Sequence, residues 1–229
     1  MSLRQATYQV ASRALVLGIF AVSALAGPLR VEAQSNSNPS IVPPQSNPHG
    51  NSYAEWSAKW WQWALGQPTP TNPLLDTTGA HCTAGQSGQV WFLAGTFNVG
   101  TVTRSCTVPT GTMLFLPVAN AFCSAEGTAD QMRACAKGIM DGATNVRAEV
   151  DGVPIHDLQR YRVQSPIFDL TLPADNIFGA PAGVYSPTAS DGVYLMLAPL
   201  SRGQHTVHVH AEFPGPSVVD VTYNLTVGR

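Results

Sequence analysis

The sequence predicts a mainly β fold: an antiparallel β-sandwich, immunoglobulin-like or jelly-roll-like, with a Trp-rich N-terminal helix and one further short helix. Three observations point there. Short runs of β-branched and aromatic residues recur between Gly- and Pro-rich turns, without the regular strand–helix alternation of α/β proteins. The last two runs alternate with the period of two expected of half-buried strands. Val207, Val209, Ala211 and Phe213 share one face, and Val219, Val221, Tyr223, Leu225 and Val227 share another. Only two segments carry helical spacing.

Taken in order, residues 1–33 read as a signal peptide. Arg4 and Arg13 make a positive start without acids, Ala14 to Gly27 is an uncharged apolar run, and Val31-Glu32-Ala33 suits cleavage after Ala33. The apolar run reaches about 21 Å as a helix, short of the ~30 Å hydrocarbon core. A cleaved leader rather than a stable membrane span is expected, and with it a secreted or periplasmic protein. Residues 34–50, rich in Ser, Asn and Pro, read as a flexible leader, and residues 51–229 as a single β-sandwich domain.

Asn51 to Leu65 forms the first helix. Asn51 or Ser52 can cap it, and Gly66 and Pro68 stop it. Tyr53, Trp56, Trp60, Trp63 and Ala64 fall on one side of the wheel, with Trp61 at the margin and Glu55, Ala58, Lys59 and Gln62 opposite. Glu55 precedes Lys59 by four, the favoured order for a helical ion pair. A stripe of this kind plugs the apolar face of a sheet. Trp61, expected to be partly exposed, is the candidate binding residue where a ligand would stack.

Strands are predicted at Gln89 to Phe97, Met113 to Val118, Tyr161 to Leu172, Val193 to Leu197, Gln204 to Phe213 and Val218 to Val227. Asn145 to Val150 and Val153 to Ile155 flank Asp151-Gly152, a hairpin with a primed turn. Thr128 to Asp141 is the second helix, with Thr128 and Gln131 as a capping box and Met132, Cys135, Ala136 and Ile139 as its apolar stripe.

All four cysteines, Cys82, Cys106, Cys123 and Cys135, follow the signal, so disulfides are expected. Three pairings are possible. Cys82–Cys106 with Cys123–Cys135 closes two short loops and is preferred, though spacing alone does not decide. No Cys-x-x-Cys knuckle supports structural zinc.

Charge excludes one class of partner. Removing Arg4, Arg13, Arg30 and Glu32 from twelve basic and fourteen acidic side chains leaves nine and thirteen, with no basic patch. Nucleic acid is therefore not an expected partner. Outward on the penultimate strand, His208, His210 and Glu212 stand at i, i+2 and i+4, about 6.5–7 Å apart. Two imidazoles and a carboxylate are a ligand set for zinc or copper, with His81, His156 and Asp157 as loop candidates for a further ligand. Leu74 to Gly79 lacks the direct Asp-Thr-Gly spacing of aspartic proteases, so Asp76 is expected to bond nearby amides in a turn. Gly85-Gln86-Ser87-Gly88 lacks the spacing of a nucleophile elbow.

The block Tyr53-x-Glu55-Trp56-x-x-x-Trp60-Trp61-x-Trp63 is followed by Asp76 to Cys82, by Gln86-x-Gly88-x-Val90-Trp91-Phe92-Leu93-Ala94-Gly95, and by Arg104-x-Cys106-x-Val108-Pro109-x-Gly111. Together these resemble a family of uncharacterised secreted bacterial proteins, most strongly over Tyr53 to Asn120. The resemblance implies export and one domain containing the Trp helix, and carries no catalytic residue. The expected function is an exported, disulfide-containing β-sandwich that binds a small ligand, glycan or protein partner. The alternative is a secreted hydrolase or metalloenzyme whose site is assembled from dispersed residues. A structural envelope protein docking through the Trp helix is a third reading.

Overall fold

The computed structural model describes residues 40–98, 100–124 and 126–228. The expected signal peptide, 1–33, and residues 34–39 of the leader lie outside them. The remainder of the leader is tied down: Ile41 bridges to Leu197, and the Ala198 amide donates to the Ser40 carbonyl at 2.7 Å. The flexible stretch was expected to run to Gly50, but a backbone that extends a sheet edge satisfies its polar groups whatever its composition.

Helix α1 (Tyr53–Leu65) starts with a capping box. The Glu55 amide donates to the Ser52 hydroxyl, and the Ser52 amide donates to the Glu55 carboxylate at 2.7 Å. Two donors that the first turn leaves orphaned are thereby satisfied, and the Ser52 amide and hydroxyl, both donating to the Glu55 carboxylate, hold that carboxyl below its usual range. Lys59, expected to pair with Glu55, lies over the Trp56 ring, 5.4 Å from its centroid.

Along the chain follow β1 (Val90–Phe92), β2 (Val102–Pro109), β3 (Met113–Ser124), helix α2 (Ala129–Asp141), β4 (Thr144–Val150), β5 (Val153–Pro154), β6 (Arg162–Gln164), β7 (Phe168–Leu172), β8 (Gly183–Leu197), β9 (Gly203–Glu212) and β10 (Val218–Gly228). One sheet has the order β1-β3-β8-β6, with β7 also on β8; the other runs β2-β10-β9-β4-β5. Residues of both sheets, among them Leu116, Leu195, Val209 and Leu225, pack into a shared core with α1. The mainly β, sandwich-like architecture is therefore present. The sheets are mixed rather than wholly antiparallel, because β1–β3 and β2–β10 are parallel pairs. Between β1 and β3 the chain crosses to the other sheet to make β2, then returns in its first direction, the kind of crossover that parallel pairing requires.

Burial corrects two helical assignments. Trp61 is 2% exposed, and Ala58, expected on the solvent side, is buried too. Packing of α1 against β6 and β7 as well as β8 encloses more than one face of the helix. In α2 the capping box of Thr128 and Gln131 forms, but of the expected stripe Cys135 is exposed and Ile139 is 43% exposed, and Met140 takes the inward place, against Ala119, Ala121 and Ala211. The disulfides are Cys82–Cys106 and Cys123–Cys135. Two such bonds imply an oxidising, non-cytoplasmic compartment. Among the described residues no helix is long and apolar enough to cross a membrane.

Candidate functional site

A β-bulge in β3 sets the site. Pro117 pairs with Tyr194 and Ala119 with Val193, so Val118 is the extra residue. A bulge re-aims neighbouring side chains, and Pro117, which has no amide hydrogen for the ladder, is tolerated beside one. As a result Pro117, Val118 and Asn120 all line a cleft of about 630 Å³. Trp60 and Trp61 of α1 also line it, as do Gly95 to Asn98 from the β1–β2 connection. Gly138 and Ile139 come from α2, and Phe213, Pro214, Pro216, Ser217, Val218 and Val219 from the β9–β10 hairpin.

The aromatic part is fixed by hydrogen bonds as well as by packing. The Trp60 indole donates to the Leu93 carbonyl at 2.9 Å, and the Trp61 indole to the Tyr194 hydroxyl at 3.1 Å. Trp61 and Phe122 rings lie 4.5 Å apart. Trp61 thus borders the cleft as a buried, pinned ring, not as the partly exposed stacking platform expected. Outside it, Phe97 is 47% and Phe178 48% exposed, with centroids 6.2 Å apart. The Phe178 loop is held by the buried Asn176 amide, which donates to the Pro173 and Ala180 carbonyls and accepts from the Phe178 and Ala180 amides.

Polar groups in the cleft are few. Among the described residues lining it, Thr96, Asn98, Asn120 and Ser217 have polar side chains and none is ionisable. Asn120 Nδ2 donates to the Tyr194 hydroxyl at 3.3 Å. Burial pushes that hydroxyl up to about 12, so it keeps its proton at neutral pH.

Elsewhere, the ligand set expected for zinc or copper at His208, His210 and Glu212 is not assembled. Asp220 of β10 lies opposite His210 in register. Its Oδ1 is 2.9 Å from His208 Nε2 and its Oδ2 3.5 Å from His210 Nδ1, while His210 Nε2 faces Glu212 Oε1 at 3.4 Å. Both rings are thus engaged by carboxylates. Among the described residues no group of three His, Cys, Asp or Glu is arranged to hold a metal ion. Burial raises the Asp220 carboxyl, but the bonds from His208, His210 and Thr101 outweigh it and hold the group low.

Sequence spacing did not anticipate a contact series of Ser201, His205 and Asp151. Ser201 Oγ lies 3.2 Å from His205 Nε2, and His205 Nδ1 2.7 Å from Asp151 Oδ2. A nucleophile needs an unprotonated Nε2 to take the serine proton. Here Nε2 also faces the Ser201 carbonyl oxygen at 3.0 Å, a contact that requires a proton on the nitrogen. The bond to Asp151 raises the His205 pKa and so favours that proton. None of the three residues lines the cleft, so the series acts as a clip from the segment before β9 to the β4–β5 turn.

Asp76 holds a turn, as its context predicts: Oδ1 accepts from the Thr78 and Gly79 amides and Oδ2 from the His81 amide. Behind it the 1% exposed Arg104 donates to the carbonyls of Asp76, Ala94 and Gly95 and to the Tyr223 hydroxyl. This buried cation appeared in the sequence only as part of the motif Arg104-x-Cys106, with no role assigned to it.

No family model matches the chain, and no curated protein is similar to it. Among solved structures, a chain of the structure of PbICP-C in complex with falcipain-2 is similar at 11% identity. The match covers 62% of this chain and 100% of that one, with a TM-score of 0.24, a superposition too loose to carry an argument.

Proposed function

We propose that this chain is an exported, disulfide-stapled β-sandwich that binds a small, neutral, largely apolar molecule in the cleft walled by α1, β3, α2 and the β9–β10 hairpin. Export, and kinship with the secreted bacterial proteins that the Trp-helix motif resembles, belong to the same proposal. The observation that carries it is the cleft. Its volume of about 630 Å³ falls within the ~300–1,000 Å³ of small-molecule sites, and its lining is aromatic and aliphatic with a few polar groups. Without an ionisable lining residue, a charged ligand would enter unpaired at high cost. A glycan would find few partners for its many hydroxyls. The exposed Phe97 and Ile139 of the lining offer apolar surface that an entering ligand would cover.

The test is titration of the purified chain with N-phenyl-1-naphthylamine, a neutral fluorescent probe. Saturable binding of one probe per chain is expected, with an affinity that changes little between low and high salt, since no charge lines the cleft. Linear, unsaturable uptake would refute cleft binding. A strong salt dependence would refute the neutral-ligand assignment.

A further inference from the structure

The Asn120 amide is anchored on a buried hydroxyl. Tyr194 Oη has two lone pairs. The Trp61 indole, which can only donate, occupies one at 3.1 Å. The Asn120 NH₂ group donates to the other at 3.3 Å.

Backbone geometry supports the same contact. Gly192 lies directly opposite Asn120 in the β3–β8 ladder. A Cβ there would come within 2.7 Å of both Asn120 Cβ and the Tyr194 ring. Glycine at 192 is what lets the Tyr194 ring lean against Asn120. The amide nitrogen is therefore turned to the buried Tyr194 hydroxyl, and no described residue donates to the remaining Oδ1.

We infer that Asn120 is the specificity-determining residue of the cleft, presenting a fixed carbonyl oxygen that selects neutral, flat apolar ligands carrying an N–H or O–H donor. The inference rests on the binding proposed above and adds the ligand class. Indole and benzofuran, nearly equal in shape but differing in the donor, are the probes, each measured by displacement of N-phenyl-1-naphthylamine.

On the wild-type chain indole should bind roughly tenfold more tightly than benzofuran, the scale of one net hydrogen bond. In Asn120→Leu the preference should vanish. Asn120→Asp, which keeps an acceptor at the same place, should restore a preference for indole. Equal binding of the two probes by the wild type, or a preference that survives in Asn120→Leu, overturns the selectivity and leaves cleft binding intact. Saturable binding of the fluorescent probe with displacement by neither fragment overturns the ligand class alone. Failure of the fluorescent probe itself to bind overturns both. The wild-type comparison decides the matter even if a variant does not fold.

Discussion

Replacing Gly138 with Trp fills the cleft from its α2 wall. Gly138 lies inside α2 and lines the cleft, and a Cβ built on it meets no atom within 4 Å. Removing glycine from a helix interior gains about 0.5 kcal/mol when the replacement is Trp, somewhat less than with Ala. An indole seated in the cleft covers roughly 150 Å² of apolar surface. At about 25 cal/mol per Å² that is at most ~4 kcal/mol in favour of the filled state. The variant should thus fold at least as stably as the wild type, with an equal or higher Tm. Its affinity for N-phenyl-1-naphthylamine should fall at least tenfold, because the probe must expel a tethered ring. Scanning calorimetry and the fluorescence titration read the two effects separately. A folded, equally stable variant whose probe affinity is unchanged would refute the placement of the binding site.

Three further outcomes test the scaffold. Arg104→Met leaves the Asp76 and Gly95 carbonyls without their buried donor and removes one of two from the Ala94 carbonyl and the Tyr223 hydroxyl, and should cost about 3 kcal/mol or more by urea denaturation. Replacing both Cys123 and Cys135 by Ala opens the shorter disulfide loop and should lower stability by about 3 kcal/mol, with the probe site retained. The His205–Asp151 clip predicts a pH dependence with two sides. The His205 pKa is raised chiefly by its bond to Asp151, so its contribution is fully present below the unfolded value near 6.5 and is lost as pH rises through the folded value. Burial pulls the Asp151 pKa up, but the bonds from His205 and the Thr206 amide bring it lower, so that contribution is lost as pH falls through the folded value. In His205→Ala, stability measured from pH 6 to 9 should be flatter than in wild type; an identical slope would exclude the clip.

The parts of the fold that sequence made legible are those where local pattern and tertiary environment agree. In β9 and β10, valines alternate inward along strands that are half buried, and the predicted bounds fall within a residue of those observed. The α1 cap at Ser52, the capping box of α2 and the β4–β5 hairpin are local chemistry and appear as expected. What was missed depends on partners distant in sequence. β2 alternates Val102, Arg104, Cys106 and Val108 inward, but a charge at an inward place hides the pattern until the carbonyls of Asp76, Ala94 and Gly95 are brought around it. The Ala94 and Gly95 carbonyls turn to Arg104, so Gln89 to Phe97 is a strand only at Val90–Phe92. The first half of β8, rich in Gly, Ser and Pro, reads as a turn; inside the sheet, Ser190 and Asp191 are bonded to Ser165 and Arg162. The candidate site followed the same rule. Trp61 was singled out by its place at the margin of the stripe; it lines the cleft, but as a buried ring rather than a partly exposed one. Pro117 within an apolar strand run was the available sign of the bulge. Asn120 and Gly138 become visible only when β3 and α2 face one cavity.

The five tryptophans provide the most direct test of cleft binding. Only Trp60 and Trp61 line the cleft, whereas Trp56, Trp63 and Trp91 do not. In ¹H–¹⁵N spectra recorded during a titration with N-phenyl-1-naphthylamine, the indole signals of Trp60 and Trp61 and the Asn120 side-chain amide should move together and saturate, while the other three indoles stay in place. Saturable binding that leaves Trp60, Trp61 and Asn120 unmoved, or that moves Trp56, Trp63 or Trp91 instead, would contradict a ligand site in this cleft.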